Sequence, residues 1–293
     1  MLFRKKGAAA RRFERFILEF KANKKGIAGL IIIVSIAIVA ILAPYMAPYD
    51  PKKFDIKDAW LPPCSKHPFG TNDVGQDIFS RIIYGSRISL MVGVLSAISS
   101  TIIGTFIGIT AGYMGGIVDS VLSSITDIIL IIPSLPLLII LVAYTKPSVW
   151  NIILVIALVG WTGTARVIRS QVLSLKEREF VEASRALGAD PLYNIFNHIF
   201  PHVFPIALIY IIMSVVGGIL SEAGLSFLGL GDPTVVSWGI ILYYAQARGA
   251  LVRGAWWWIV FPGLAIMITG TGFVLLGNAL DEIFNPRLKA VRM

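Results

Sequence analysis

The sequence predicts an all-α, polytopic membrane protein with six transmembrane helices and both termini in the cytoplasm. The first observation is composition: of 293 residues, 56% are hydrophobic and only 15% are charged, whereas an ordinary soluble domain carries about 25% charged residues. The second is that the apolar residues are bunched into long runs. The third is an uneven distribution of lysine and arginine between the segments that join those runs. A soluble domain is therefore excluded.

Six stretches of the chain contain no charged residue and are long enough to cross a bilayer. A transmembrane helix needs roughly 20 apolar residues, within a range of about 17–25. Each stretch is therefore expected to form one span. The stretches are residues 26–48, 88–118, 128–145, 147–165, 203–221 and 254–280.

The basic residues predict which ends of these spans face the cytoplasm. With six spans and a cytoplasmic N-terminus, the cytoplasmic segments hold 17 Lys and Arg and the external segments hold nine. Cytoplasmic loops carry an excess of basic residues, so this arrangement places both termini inside. The net charge of +9 then reflects membrane orientation, and binding to nucleic acid is not expected.

Residues 1–25 are expected to form an amphipathic helix on the cytoplasmic surface of the lipid bilayer. Phe13, Phe16, Ile17 and Phe20 recur at helical spacing among basic residues, which is typical of a helix in the lipid interface. The apolar run that follows, 26–48, is longer than the about 7–15 residues of a signal-peptide core. It is therefore interpreted as an uncleaved first transmembrane helix.

The external segment 49–87 is expected to be a loop in its first half. From Asp77 onward, apolar positions predict a short interfacial helix that leads into the second span. Cys64, the only cysteine of the chain, lies in this loop and has no partner for an internal disulfide. It is interpreted as a free thiol outside the membrane.

Residues 88–282 are predicted to be one five-helix domain. Its first helix carries Gly104, Gly108 and Gly112 on one face, a spacing that lets a second helix approach closely in lipid. Ser96, Ser100 and Thr101 on the same helix are candidates for lining a polar pathway. Hydroxyls in a helix also bond to carbonyls of their own helix, and this alternative stays open for each of them.

The sequence also predicts the places of one acidic residue, one short apolar piece and the C-terminal tail. Asp127 precedes an apolar run and is interpreted as a helix-start residue at the cytoplasmic interface. The charge-free piece 233–247 is too short for a span and is expected to be re-entrant or interfacial. Residues 283–293 form a basic cytoplasmic tail.

The polar insertion 176–202 interrupts the apolar runs and predicts a helix, a sharp turn and a second helix. Helix-forming residues run from Leu175 to Leu187, and Gly188 supplies a permissive position after the helix end. Asp190 can cap the next helix, and Pro191 suits its first turn. Pro201 and Pro205 are expected to bound the second helix.

Three interpretations of this insertion compete. A DNA-binding helix-turn-helix needs a net positive surface, whereas residues 176–202 carry more acids than bases. A metal site at His198 and His202 has conceivable spacing but no third ligand in register, so no metal is expected. The third interpretation is a docking element for a cytoplasmic partner, with small residues at the turn. Its candidate residues are Glu182, Ala183, Ser184, Arg185, Gly188, Ala189, Asp190 and Pro191.

The residues from Glu182 to Gly188, with Pro201 thirteen residues after the glycine, resemble the EAA motif of ABC-importer permeases. Ser184 replaces the second alanine by another small residue. More narrowly, residues 25–289 resemble the second permease subunit of oligopeptide, dipeptide and nickel importers. The stretches that carry this resemblance are "HPFGTNDVGQDIFSRIIYGSRISL", "GLSFLGLGDPTVVSWG", "WWWIVFPGLAI" and "NPRLK".

This resemblance implies the type I ABC-importer permease fold, in the inner or plasma membrane of a prokaryote. It also implies a second homologous permease subunit, two ABC ATPase subunits that bind ATP-Mg, and an extracytoplasmic substrate-binding protein. The chain contains no GxxxxGK[ST] phosphate-binding loop, so no cofactor and no catalytic residue are expected in it. Peptides are the expected cargo, and nickel or another small solute is the alternative.

Two functions of other classes are disfavoured. An intramembrane protease would need a buried base, and His67, His198 and His202 all lie outside the predicted spans. A secondary transporter or channel usually carries charged residues inside its spans, and the six predicted spans have none.

Overall fold

The helical class is confirmed by a computed structural model, which describes the backbone of residues 8–284 and the side chains of 14 and 16–284. Within these residues no β-strand forms, and two residues share one isolated bridge, Thr71 with Asp77. In chain order the α-helices are α1 Ala8–Ala22, α2 Lys24–Ile41, α3 Ala43–Met46, α4 Ile78–Met114, α5 Gly116–Ile131, α6 Ser134–Ala143, α7 Val149–Lys176, α8 Glu179–Ala186, α9 Pro191–Asn194, α10 Phe200–Phe227, α11 Trp238–Ala247 and α12 Trp257–Phe284.

Five helical segments are long and apolar enough to cross a membrane: α2, α4, α7, α12, and the continuous segment Pro191–Phe227 that ends in α10. The remaining predicted span, residues 128–145, does not form a single straight helix. The chain there forms α5 and α6, which meet at an angle of 91°. Ile132 between them has φ −76° and ψ 127°, because the ring of the following Pro133 disfavours the helical conformation for the residue before it.

The two ends of the described chain meet on one side of the bundle. The rings of Phe16 on α1 and Phe284 on α12 stack with centroids 5.6 Å apart, and Asn23 Nδ2 donates to Glu282 Oε2 at 3.0 Å. An even number of crossings is needed to bring both ends to one side. Counting the bent pair α5–α6 as one span gives six, which is such an even number.

Parts of the predicted terminal segments lie outside the described residues. The expected amphipathic helix over 1–25 corresponds to α1, and its aromatic side packs partly on α12 through Phe16. Residues 1–7 and the side chain of Phe13 are outside the description, as are residues 285–293 of the expected tail 283–293. The boundary expected at 25–26 corresponds to Asn23, which caps α2 by accepting from Gly26 N at 3.0 Å.

Helix α4 is the central element and is longer than the sequence analysis expected. The predicted interfacial helix and the predicted second span form one helix of 37 residues, capped by Asp77, whose Oδ2 accepts from Ser80 N at 2.7 Å. At 1.5 Å per residue it is about 55 Å long, whereas the hydrocarbon core is roughly 30 Å thick. Nothing between Ile78 and Ile88 breaks the helix, so its first turns project beyond the bilayer.

The glycines of α4 lie against α7 at very short distance. A Cβ atom on Gly104 would lie 2.5 Å from the carbonyl oxygen of Trp161, and one on Gly108 would lie 2.7 Å from that of Ala165. A Cβ on Gly112 would come within 2.8 Å of the Val172 Cβ. The three glycines therefore form the face on which α7 packs.

The segment 49–77 contains no α-helix and one 3-10 turn, Ile56–Asp58, and it folds over the bundle as a cap. His67, Asn72 and Asp77 are buried in it, and His67 Nδ1 lies 2.9 Å from Asp77 Oδ1. Trp257 Nε1 donates to the Thr71 carbonyl at 3.1 Å, which fixes the cap to the start of α12.

The segment 233–247 contains the ten-residue helix α11, which is too short to cross a bilayer. Trp238 at its start is 1% exposed, and its backbone N–H donates to Ser89 Oγ of α4 at 3.1 Å. The short helix thus lies against the outer half of α4 and completes the cap.

Candidate functional site

The polar insertion forms the helix, turn and second helix that its sequence predicts. α8 ends in a left-handed turn in which Gly188 has φ +83°. Gly188 N donates to the Arg185 carbonyl at 2.9 Å and Ala189 N donates to that of Ser184 at 3.1 Å, the hydrogen bonds of a glycine-terminated helix. Asp190 Oδ2 then accepts from Leu192 N at 3.1 Å and starts α9. We call residues 179–196 the helical knob.

The expected first helix, Leu175 to Leu187, is wrong in its extent. α7 ends at Lys176, and Arg178 has an extended backbone with φ −80° and ψ 142° before α8 begins. This break redirects the chain so that Val181 of α8 is fully buried. The burial of an apolar side chain thus overrides a run of good helix formers.

The expectation that Pro201 and Pro205 bound the second helix is also wrong, because both lie inside α10. The chain passes from α9 to α10 through a π-helical turn at Ile195–Ile199. A proline lacks the N–H that an α-helix needs, and the wider turn before Pro201 lets the helix accommodate it. The knob is consequently continuous with a spanning helix.

The knob is anchored to three long helices. Val181 and Ile199 are fully buried in one apolar cluster with Ile168 and Val172 of α7 and Val203 of α10. The guanidinium of Arg185 lies 5.3 Å from the ring centroid of Tyr113 on α4. A force on the knob is therefore transmitted to α4, α7 and α10 together.

The outer surface of the knob combines small, charged and apolar residues. Of the predicted site residues, Ser184 and Ala189 are partly buried, and the exposed ones are Glu182, Ala183, Arg185, Gly188, Asp190 and Pro191. The sequence analysis missed three large apolar side chains beside them: Leu187 is 88% exposed, Leu192 63% and Phe196 64%. Their position on either side of a predicted turn was the available signal. An exposed apolar patch of this kind marks a surface that contacts another protein or the membrane.

Two histidines that follow the knob, His198 and His202, pack against an aromatic ring of α8. His202 stacks on Phe180 with centroids 5.5 Å apart, and His198 meets the same ring edge-on at 5.8 Å. His202 Nδ1 is also 2.6 Å from the carbonyl oxygen of His198. These contacts hold α8 against the start of α10.

The candidate pathway residues lie in packed positions. Ser96 is 0% exposed and bonds to the Gly93 carbonyl, and Ser100 is 4% exposed and bonds to that of Ala97. Both hydroxyls therefore bond to carbonyls of their own helix, which is the alternative that the sequence analysis left open. Thr101 is 1% exposed, and it lies at a largely apolar cavity of about 720 Å³ between α4 and α10.

Two ion pairs join α5 to the part of α7 that continues beyond the predicted span 147–165. Arg169 of α7 binds Asp119 of α5, with Nη2 2.7 Å from Oδ2. Arg166 Nη2 lies 2.6 Å from Asp127 Oδ1. Asp127 lies in the second half of α5, Gly116–Ile131, and pairs with α7, which corrects its interpretation as a helix-start residue. The sequence signal that could have revealed these two ion pairs was the helical spacing of Arg166 and Arg169.

Glu222 is a further acidic residue that the sequence analysis missed, because it follows directly on the predicted span 203–221. It lies in α10 and is 2% exposed. Its Oε1 accepts from Ser226 Oγ at 2.7 Å and from Ser237 Oγ at 2.6 Å. Since Ser237 also caps α11, this carboxyl group joins α10 to α11.

Two family models match the sequence of this chain. Residues 104–290 match the family described as "Binding-protein-dependent transport system inner membrane component", and residues 12–63 match the "N-terminal TM domain of oligopeptide transport permease C". The match to the first family covers more than half of the chain.

Several relatives align over nearly the whole chain. The dipeptide transport system permease protein DppC of Escherichia coli is 42% identical over 92% of this chain and 91% of its own length. The oligopeptide transport system permease protein OppC of Bacillus subtilis is 38% identical over 93% and 89%. A putative peptide permease protein of Brucella suis is 36% identical over 96% and 92%. The chain therefore belongs to the family of inner membrane components of binding-protein-dependent transport systems, as a multi-pass permease subunit of a prokaryotic ABC importer.

Proposed function

We propose that the helical knob couples this permease to ATP hydrolysis by docking in a cleft of a partner ATPase. One observation carries the proposal: the exposed turn at Gly188 is joined without a flexible linker to α7 and α10. When the ATPase domains close, a docked knob would move with them. The attached helices would then rock between outward-open and inward-open arrangements.

We further propose that the cargo is a peptide. The printed names of the relatives, dipeptide and oligopeptide permeases among them, support this class of substrate. Nickel or another small solute carried by the same machinery is the alternative. Uptake of radiolabelled dipeptides and of nickel by cells with and without this gene distinguishes the two, because the same deletion must abolish uptake of the true cargo.

The assembly that we propose contains this chain, a second homologous permease, two ATPase subunits with ATP-Mg, and an extracytoplasmic binding protein. The absence of a GxxxxGK[ST] sequence from all 293 residues supports an ATP site in the partners and no enzymatic activity in this chain. A secondary transporter would move its cargo without ATP. Cargo uptake into proteoliposomes that requires both the ATPase subunits and ATP separates the two functions.

The coupling proposal is tested by Gly188→Trp. The left-handed backbone at φ +83° costs an L-residue roughly 1–2 kcal/mol, and no atom lies within 4 Å of the position of a Cβ. The indole therefore fits in the isolated subunit but blocks entry into a cleft. We expect membrane insertion to persist, while co-purification with the ATPase subunits or coupled ATP hydrolysis falls at least tenfold.

Gly249→Trp is the matched control. Gly249 has φ +68° and also has no atom within 4 Å of a Cβ position, but it follows α11 on the opposite side of the membrane from the knob. The control carries the same strain and the same added ring, and ATPase assembly is expected to be unchanged. Normal assembly and normal coupled hydrolysis in Gly188→Trp would show that the turn is not the coupling element.

A further inference from the structure

A cationic pocket of about 440 Å³ opens in the external cap, far from the knob. Its walls come from the cap residues 52–76, from Arg81 in the first turn of α4, and from the segment 233–248 around α11. The residues that the following argument uses are Lys52, Asn72, Asp73, Gln76, Arg81 and Arg248.

Arg81 is a buried cation without a carboxylate partner among the described residues. It is 6% exposed. Its Nη1 donates to the carbonyl of Pro51 at 3.0 Å and to Gln76 Oε1, both of them neutral acceptors. Its Nε is buried and has no hydrogen-bond partner within the described part of the chain. A buried charge is normally paired, so this guanidinium has unused capacity for an anion.

The surroundings of Arg81 are positive overall. Asp73 is the one acidic residue of the lining, and its Oδ2 already binds Arg248 Nε at 3.1 Å. Lys52 at the rim donates only to a backbone carbonyl, that of Thr234, at 3.2 Å. Asp73 also acts on Arg81 at longer range, but within the described part of the chain neither Arg81 nor Lys52 forms an ion pair with a carboxylate, and the lining keeps a surplus of two positive charges. A carboxylate can accept the parallel N–H groups of a guanidinium, as a phosphate also can. An Asp or Glu side chain is the form in which a docking protein supplies such an anion.

We propose that this pocket accepts an acidic side chain of the extracytoplasmic binding protein. The proposal rests on the proposed function, which requires such a partner. The pocket is formed by the cap, the first turn of α4 and the segment around α11, so a protein that docks on the external face reaches it first. Lys52 would attract the carboxylate at the rim, and Arg81 would bind it inside.

The test uses the complete importer in nanodiscs, with its binding protein titrated against it. The readout is the concentration of binding protein that half-saturates the stimulation of ATP hydrolysis. Arg81→Gln is expected to raise this concentration roughly tenfold to a hundredfold, as for loss of a charge-assisted hydrogen bond. Lys52→Gln at the rim is expected to raise it about twofold to fivefold.

Lys53→Gln is the matched control. Lys53 is the adjacent exposed lysine, it is not part of the pocket lining, and its removal changes the net charge of the cap by the same amount. The half-saturating concentration is expected to stay unchanged. Equal effects of Lys52→Gln and Lys53→Gln would overturn the proposal, and this comparison holds even if Arg81→Gln fails to assemble.

The partner residue is identified by replacing each exposed Asp and Glu of the binding protein by its amide. One replacement is expected to weaken docking to the wild-type importer and to have no effect on Arg81→Gln, as for two residues in direct contact. If every replacement acts equally on both importers, the proposal is wrong. If the wild-type importer itself shows no stimulation by the binding protein, the failure lies with the proposed function.

Discussion

Single glycines determine how closely the two most extensively packed helices approach. The Gly108 Cα lies so near α7 that a Cβ would be 2.7 Å from the Ala165 carbonyl oxygen and 3.0 Å from Arg169 N. Both atoms belong to backbone and cannot rotate away. Within lipid, where apolar side chains gain little by leaving the solvent, such close packing is a main source of helix association.

Gly108→Ala therefore tests the glycine face with a single methyl group. We expect a loss of stability of about 1–3 kcal/mol, as for overpacking of a filled interior. The measurement is the fraction of purified protein that stays monodisperse after heating. Gly163→Ala on α7 is the control, because no atom lies within 4 Å of its Cβ position. A melting temperature of Gly108→Ala equal to that of the control would contradict the packing argument.

Glu222 shows how a single polar residue can hold an external element in place. Its carboxyl group receives hydrogen bonds from Ser226 and Ser237 while 2% exposed. A buried polar group without such partners is costly, so the serines and the carboxyl group need one another. This arrangement fixes α11, and with it one wall of the cationic pocket.

Pairs of helices are joined by charged residues as well as by small ones. The Arg169 guanidinium binds both oxygens of Asp119, at 2.5 and 2.7 Å, and Ser123 Oγ donates to the same carboxylate at 3.0 Å. A two-point contact of this kind holds helices in a defined register. It connects α5, the first half of the bent span, to α7.

The Asp119–Arg169 pair is tested by comparing Asp119→Leu, Arg169→Leu and the double substitution. Removing one partner leaves the other charge unpaired, which costs more than removing both. We therefore expect each single variant to be less stable than the double variant, in thermal unfolding of the purified protein. Single effects that add up to the effect of the double substitution would show that the two residues are not coupled.

The sequence predicted local features well because local chemistry determines them. Gly188, Asp190 and Pro191 specify a helix end and a helix start within a few residues, and the structure places both there. Gly104, Gly108 and Gly112 needed only helical spacing to be assigned to one face.

Features that depend on distant residues were not predictable in this way. Thr71 is buried because Trp257, far along the chain, donates to its carbonyl. Glu222 was left outside the spans because the charge-free run 203–221 ends before it, and its partner Ser237 comes later in the sequence. The break at Arg178 follows from burial of Val181 in a cluster that α7 and α10 complete. In each case a tertiary contact decided the outcome against local propensity.

The two proposed functional sites lie at opposite ends of the bundle. The ends of the described chain and the knob lie at one end, and the cap with its cationic pocket lies at the other. The proposed movement of the knob and the proposed docking at the cap would be connected through α4, which runs from the residue after Asp77 in the cap to Tyr113 beside Arg185. One continuous helix of 37 residues gives this connection its stiffness.

The basic residues predict that the end with the termini is cytoplasmic, and labelling of cysteines tests this. Cys64 in the cap is exposed and is the only cysteine of the chain. A membrane-impermeant maleimide is expected to label it in intact cells, or in spheroplasts if an outer membrane is present.

In a Cys64→Ser background, Leu187→Cys places the thiol on the knob, where the native side chain is 88% exposed. That thiol should react only after the membrane is opened, because the bilayer separates it from the reagent. Since both positions are exposed, a difference in labelling reports the side of the membrane. Labelling of Leu187→Cys from outside, with Cys64 protected until lysis, would reverse the orientation.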